Sequence, residues 1–547
     1  MPANQELIEH LTKHLCSVIS ETNGITLNDT LELASLSFHL DEKPQVRKTI
    51  NEFRKLLAGY EQDEVDINTL LNHPISDALQ NIFKSFPIPF REEHIHLTGS
   101  LTADFIYPRL KKLIDGPHGN LYLEKIKAVY GDDAKVDSVE DIHQLITLKD
   151  DEAFDRYLEI LLLPKMILNS RQAHQEAAYH MASELYHSYN VGMIRLKFTL
   201  SRATSSDFES VPGIEHVSEE DVVLGLFEGF MEFKKRVPSF DFVLSPSFRK
   251  EASFFDNKRF KKKKDHFIHQ VNSILTLLDQ HPQLIPYLRD VDTVGNERDL
   301  YRKSHFQDMR HGFRKLHYKG FSIRSHHGET WHTLRKGVQA VDNALNIWHI
   351  DTLEHGLSLG INPNFYYHSL YQRVINDNAQ SMAVKPNTSD YKELLDMDWS
   401  DQQHILSKLL EGTPLSSDEQ IHFVKIKFHT AREVEHYQHD VLNRMIHKNV
   451  SLIALPSSNN RLTECFPDYK DHPFSWWEKK GVQLGVGTDN YITLNTNYLK
   501  ELLIVLYTDS NNLKITKLLM VATGESRRPY ISQMLWRLRE KFALMND

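Results

Sequence analysis

His94 and His96 stand two residues apart in a short run that ends at Thr98, Gly99 and Ser100. In a strand, side chains at i and i+2 share a face, so two imidazoles placed this way can hold one metal ion between them. The pair alone says little, because with 31 histidines in 547 residues about two such pairs arise by chance. Three later segments give it company. The run Phe321–Glu329 ends in His326, His327, Gly328 and Glu329; Trp348–Gly356 ends in His355 and Gly356; Val482–Asn490 ends in Thr488, Asp489 and Asn490. Each sets a polar residue at the C-terminal end of an expected strand. That is the edge on which a (β/α)8 barrel builds its active site, and together the four segments supply the parts of a mononuclear hydrolytic centre.

In this order the segments resemble the adenosine/AMP deaminase family of metal-dependent hydrolases, from residue 90 to 547 with one large interruption. Asp292–Glu297 is similar to the family's fourth-strand turn. Leu455–Asn459, followed by His472 and Pro473, is similar to its seventh strand and the segment after it. The resemblance implies that His94, His96, His326 and Asp489 bind one zinc ion per chain. It implies that Glu329 protonates the purine at N1, that His355 orients and stabilises the attacking hydroxide, that Asp489 is catalytic as well as a zinc ligand, and that Gly295 offers its backbone N–H to the base. The chemistry needs these types. Replacing the amino group at C6 of adenine takes a strong nucleophile, and zinc lowers the pKa of a bound water to about 7. A ring that accepts electrons needs a general acid, worth about 10²–10⁴ in rate.

Two positions depart from the family pattern. Thr98 stands where nucleoside-specific members carry an acid near the ribose 5′ end, and Asn490 where the family has a second aspartate facing the purine. Loss of the first charge removes a repulsion that a 5′-phosphate would otherwise meet. The second change replaces an acceptor-only carboxylate by an amide that donates and accepts.

The chain is longer than a bare barrel, which needs about 250 residues. Its 40% hydrophobic and 25% charged content is that of an ordinary soluble protein. A net charge of −10 argues against a general nucleic-acid binder. Cys16 and Cys465, far apart, exclude a disulfide scaffold and fit a reducing cytoplasm. They also exclude the zinc deaminase design built on a Cys-x-x-Cys pair. No signal-like segment opens the chain and no apolar run approaches the ~20 residues of a membrane span.

An α/β fold follows: a (β/α)8 TIM-type barrel over 89–547 with a helical N-terminal extension over 1–88. In the extension, Leu7, Ile8, Leu11, Leu15 and Ile19 keep a helical spacing, as do Val46, Ile50, Phe53, Leu56 and Leu57. Expected strands are 92–97, 192–200, 240–245, 287–292, 320–326, 347–354, 450–455 and 482–488. The stretch 361–432 reads as an insertion after strand six, open to roles as a lid, a specificity element or a homo-oligomer contact. The extension is open to a role as packing cap or subunit interface.

The basic run Asn257–Asp265 follows strand three in an otherwise acidic chain. A charge run is usually a solvated face, but with Arg249, Lys250 and Arg259 it could hold phosphates. The expected activity is zinc-dependent hydrolytic deamination of an adenine nucleoside or nucleotide to the inosine form plus ammonia, with a 5′-phosphorylated substrate favoured. Two alternatives stay open. One is hydrolysis of a cyclic amide or ester by a related amidohydrolase, which would use two metals; the other is a non-catalytic nucleotide-binding scaffold. The size, extension and insertion are closer to bacterial antiphage-defence deaminases than to a compact salvage enzyme, an analogy at the level of fold.

Overall fold

Short β-rich runs alternating with amphipathic helices predict a parallel sheet, and eight parallel strands form in the computed structural model. These are Phe90–His96 (β1), Val191–Thr199 (β2), Asp241–Arg249 (β3), Asp290–Val294 (β4), Ser322–His327 (β5), Thr352–His355 (β6), Ser451–Ala454 (β7) and Leu484–Val486 (β8). They pair in sequence order from β1 to β8, each with helices before the next, which is a (β/α)8 barrel. The structure describes residues 2–37, 43–149, 152, 154–200, 217–463 and 468–544; Cys465 lies outside them.

The first and last strands meet through a single parallel bridge, Ile95 to Asp489. Around it His96 N–H donates to the Asp489 carbonyl at 2.8 Å, and Asp489 N–H donates to the His94 carbonyl at 2.9 Å. The seam of the barrel is therefore stitched by the backbone of three of the proposed metal ligands.

Five helices, Pro2–Glu21, Leu27–Leu36, Pro44–Glu61, Ile67–Leu71 and Pro74–Lys84, precede β1. Their apolar faces, including Leu11, Leu15, Ile50, Phe53 and Leu57, are fully buried. They pack on the C-terminal helices Tyr498–Thr508 and Arg528–Leu544. Phe53 meets Tyr507 edge-on at 5.6 Å, and Ser76 shares a hydrogen bond with the Tyr507 hydroxyl.

Two connections are enlarged. Between β1 and β2 lie helices Ala103–Ile114, Gly119–Tyr130, Val139–Ile146, Phe154–Ile160, Leu162–Ile167 and Arg171–Tyr189. After β6, helices Pro363–Ala379, Ser389–Asp396 and Gln403–Glu411 lead into Ser417–His447. That last helix, opened by a Ser416–Glu419 capping box, runs unbroken past residue 432, so the insertion has no break at its expected end.

Strand six starts later than the apolar run from Ile347 predicts. Residues Ala344–Trp348 form a π-turn, and the Trp348 indole N–H donates to the Phe306 carbonyl at 2.8 Å. His349 takes a left-handed φ of 56°, which ends the helical stretch before β6 begins.

Candidate metal centre

At the C-terminal edge of the barrel, β1 delivers His94 and His96, β5 delivers His326, and the turn after β8 delivers Asp489. His94 Nε2 lies 3.2 Å from His96 Nε2, and His96 Nε2 lies 3.3 Å from His326 Nε2. Asp489 Oδ1 is 3.5 Å from His96 Nε2 and 3.8 Å from His94 Nε2. A tetrahedral zinc with bonds of about 2.0–2.1 Å needs ligand atoms ~3.3 Å apart. The fit rests on protonation as well as distance. His94 Nδ1 is 2.7 Å from Glu354 Oε2, and His326 Nδ1 is 3.1 Å from Asp292 Oδ1. A carboxylate at Nδ1 draws the ring proton there, which leaves Nε2 bare and facing inward. Burial pushes His94, His326 and His96 below the ordinary histidine range, which favours the neutral, ligating form. Bare lone pairs converging at such distances call for a cation.

Asp489 is held for the same task. Burial alone would raise its carboxyl, but the facing His96, His94 and His355 keep it below its ordinary value. Ser458 Oγ donates to Oδ2 at 2.6 Å, which leaves Oδ1 turned toward the histidines. Its backbone φ is 63°, a left-handed value that costs a non-glycine residue energy.

Beneath the ligands lies a buried charge network. Lys197 Nζ sits 2.9 Å from Glu354 Oε1 and 3.1 Å from Asp292 Oδ2, with all three side chains fully buried. Arg324 Nε donates to Glu354 Oε1 at 2.6 Å. One layer further down, Arg195 pairs with Glu93 at 2.9 Å and with Asp290. The β1–β2 register slips between Glu92 and Ile95, so Glu93 and His94 both reach partners in the barrel interior. Each carboxylate that faces the Nδ1 of His94 or His326 is thus itself fixed by a cation.

Glu329 and His355 stand at the rim. Glu297 shapes the turn that carries Glu329: its carboxylate accepts from the N–H groups of Gly328, Glu329 and Thr330 at 3.2, 2.7 and 2.9 Å. Burial raises the Glu329 carboxyl above its ordinary value, against the lowering effect of His355. His355 Nε2 is 3.8 Å from Glu329 Oε2. Its Nδ1 is held by Asn459 Oδ1 at 2.8 Å, and Asn459 in turn meets His472 Nε2 at 3.1 Å. His355 Nε2 is buried with no hydrogen-bond partner among the described residues, and its ring centre lies 5.0 Å from that of His326.

The residues expected to hold substrate divide. Asn490 is buried beside the centre; its Nδ2 donates to Asp489 Oδ1 at 2.8 Å and to the Tyr157 hydroxyl. A side chain at Gly99 would collide with it. Thr98 lies half-buried on the turn after β1. Gly295 has φ 104°, and a Cβ there would fall 2.3 Å from the Glu251 carboxylate. The cations after β3 are differently engaged. The Arg249 guanidinium is taken by Glu251 at 2.5 Å. Lys250 is buried, its ammonium on the His326 carbonyl and 3.8 Å from Glu297. Arg259 is exposed beside Asp256. Lys263 turns inward to the carbonyls of Arg249 and Phe254 at 2.7 and 2.6 Å. Burial rather than solvent claims Lys250 and Lys263, so as placed Arg249 and Lys250 offer no free charge to a phosphate.

Sequence reasoning missed Lys197, Glu354, Arg324 and Tyr157. Charges at alternate positions, Arg195 with Lys197 and Asp290 with Asp292, inside otherwise apolar strands were the available signal. Outside the centre, a cavity of about 1420 Å³ opens between Thr330, His472 and the helices after β6, with Arg298, Lys385 and Lys392 on its wall.

No protein-family model and no curated protein matches the chain. Among solved structures, an adenine deaminase from Arthrobacter aurescens is 12% identical with a TM-score of 0.48, covering 83% of this chain and 98% of its own. A zinc-bound amidohydrolase from Burkholderia ambifaria is 11% identical with a TM-score of 0.47, covering 85% and 94%. An N6-mAMP deaminase from Arabidopsis is 13% identical with a TM-score of 0.48, covering 85% and 99%.

Proposed function

We propose that this protein is a mononuclear zinc hydrolase that deaminates an adenine nucleoside or nucleotide to the inosine form plus ammonia. The observation that carries the reading is the close approach of the Nε2 atoms of His94, His96 and His326, with Asp489 Oδ1 beside the first two and with Glu329 and His355 close by. Zinc held there supplies a water-derived nucleophile at neutral pH. The chain's own residues do the rest. Glu329, protonated more readily than a surface glutamate, donates to a ring nitrogen as the base accepts electrons. His355, fixed through Asn459, aims Nε2 at the point of attack. Asn490 can donate an amide N–H to a ring nitrogen that carries no proton.

Lys197 supports one metal over two. Its ammonium fills the space between Asp292 and Glu354, where two carboxylates would otherwise attract a second cation. Preference for a 5′-phosphate rests on the uncharged Thr98, since Arg249 and Lys250 are engaged elsewhere.

The test is direct. Zinc-loaded protein is incubated with adenosine, deoxyadenosine, AMP, dAMP, ATP and dATP, and inosine-type products are followed by chromatography. Glu329→Gln should keep its zinc and lose at least about two decades of turnover. Near wild-type turnover in that variant removes the acid role, and no turnover of any of the six by the wild type removes the reading.

A further inference from the structure

Tyr157 is the residue whose position the reaction leaves unexplained. It lies on the helix Phe154–Ile160, in the long connection between β1 and β2, and is 5% exposed. Its hydroxyl oxygen accepts a hydrogen bond from Asn490 Nδ2. The same hydroxyl lies 3.5 Å from Asp489 Oδ1, the oxygen turned toward His94 and His96. A phenol keeps its proton at neutral pH, so one hydroxyl can accept from Asn490 and donate toward Asp489. One hydroxyl thus covers the metal-facing carboxylate and occupies the amide that the functional reading gives to the base.

The apolar side of Tyr157 belongs to a small cluster of its own. It packs with Leu148, Ile160, Leu462 and Leu494 in a cluster separate from the main core. Leu462 also lines the cavity beneath the post-β6 helices. A small cluster set apart from the main core opens at a lower cost than global unfolding.

We propose that Tyr157 is a displaceable occupant of the base-binding position: its hydroxyl holds Asn490 and shields Asp489 in the resting protein, and an entering purine takes over the Asn490 N–H and turns the 154–160 helix outward. This rests on the reading that Asn490 meets the base. Chemical equivalence carries it, because the phenol oxygen accepts from Asn490 as an unprotonated ring nitrogen would. The consequence is selective. A ligand with an acceptor at that place replaces the lost hydrogen bond; a ligand with a C–H there leaves Asn490 unsatisfied and does not displace the phenol. Occupancy also lowers apparent affinity by the fraction of molecules in which the site stands open.

The experiment uses the zinc-loaded full chain, purine riboside (which has no amino group to lose) and its 7-deaza analogue. Tyr157→Phe keeps the ring and removes the hydroxyl. Losing that hydrogen bond should tighten purine riboside binding about three- to ten-fold and tighten its 7-deaza analogue by a like factor, leaving the gap between the two ligands in place. In the wild type, hydrogen exchange across 154–160 should rise on binding. Weaker or unchanged binding by Tyr157→Phe, or protection of 154–160 by ligand, overturns the proposal and makes Tyr157 a direct ligand contact or a packing residue. Should neither protein bind purine riboside, the functional reading fails and the shielding role is judged separately by the rate at which a chelator strips zinc. A rate at least about three-fold faster in Tyr157→Phe sustains the shield, and an unchanged rate removes it.

Discussion

Glu354→Gln is an isosteric change that should disable the metal site through one proton. In the native protein Glu354 Oε1 receives both Lys197, at 2.9 Å, and Arg324, at 2.6 Å, while Oε2 receives His94 Nδ1 at 2.7 Å. Two cations fix which way a glutamine must turn. Its carbonyl oxygen goes to Lys197 and Arg324, and its NH2 group is left facing His94 Nδ1. Two donors cannot share that contact, so the imidazole proton moves to Nε2, the nitrogen that should bind metal. Loss of a partner that orients a ligating histidine costs ten- to hundred-fold in metal affinity, about 1.4–2.8 kcal/mol. Lys197 keeps Asp292 at 3.1 Å, so the fold should survive with a lowered Tm. The assay is zinc competition against a chromophoric chelator on reloaded apoprotein, with Glu329→Gln as the control whose ligands are untouched. A zinc Kd within about three-fold of wild type, in a folded Glu354→Gln protein, would refute the tautomer argument.

Two further outcomes are expected. Lys250→Met should lower zinc affinity and Tm, because it frees the His326 carbonyl and Glu297, and it should reduce turnover of phosphorylated and unphosphorylated substrates alike; a loss confined to phosphorylated substrates would return Lys250 to a phosphate-binding role. Glu393, buried under Leu334 N–H and the hydroxyls of Tyr366 and Tyr367, is pushed by burial from 4.5 to about 7. The folded state then binds a proton that the unfolded state has released, so this contribution is full below pH 4.5 and is lost as pH rises to about 7. The loss is at most about 3 kcal/mol. Glu393→Gln should flatten the fall in Tm across that window, and identical slopes would show that Glu393 is ionised throughout.

The strand ends that carry His94, His96, His326, His355 and Asp489 were legible because metal chemistry narrows the residue types and a barrel puts them at one edge. Lys197 and Glu354 were not. A charge in an apolar strand gains meaning only from its partner, and Lys197 meets Glu354 across the barrel interior. Lys250 was misleading for a related reason. It reads as a cation available to phosphate, yet its ammonium is buried on the His326 carbonyl. Tyr157 gave no local sign, since its contacts with Asp489 and Asn490 join distant parts of the chain. Strand six was misplaced at its start because Ile347 and Trp348 carry a strand-like composition into a π-turn.

The seam between β1 and β8 bears on how the molecule is made. His94 and His96 leave the ribosome before Asp489, and the bridge from Ile95 to Asp489 and its flanking hydrogen bonds wait for β8. Until then β1 keeps one unpaired edge, and the nascent chain presents only part of the proposed ligand set. An ion held by the proposed ligands would therefore wait for that strand, and would also fasten the two ends of the sheet. Stripping it should loosen backbone amides at 94–97 and 488–490 before the rest of the barrel, so that chelation registers first as a local gap in the wall.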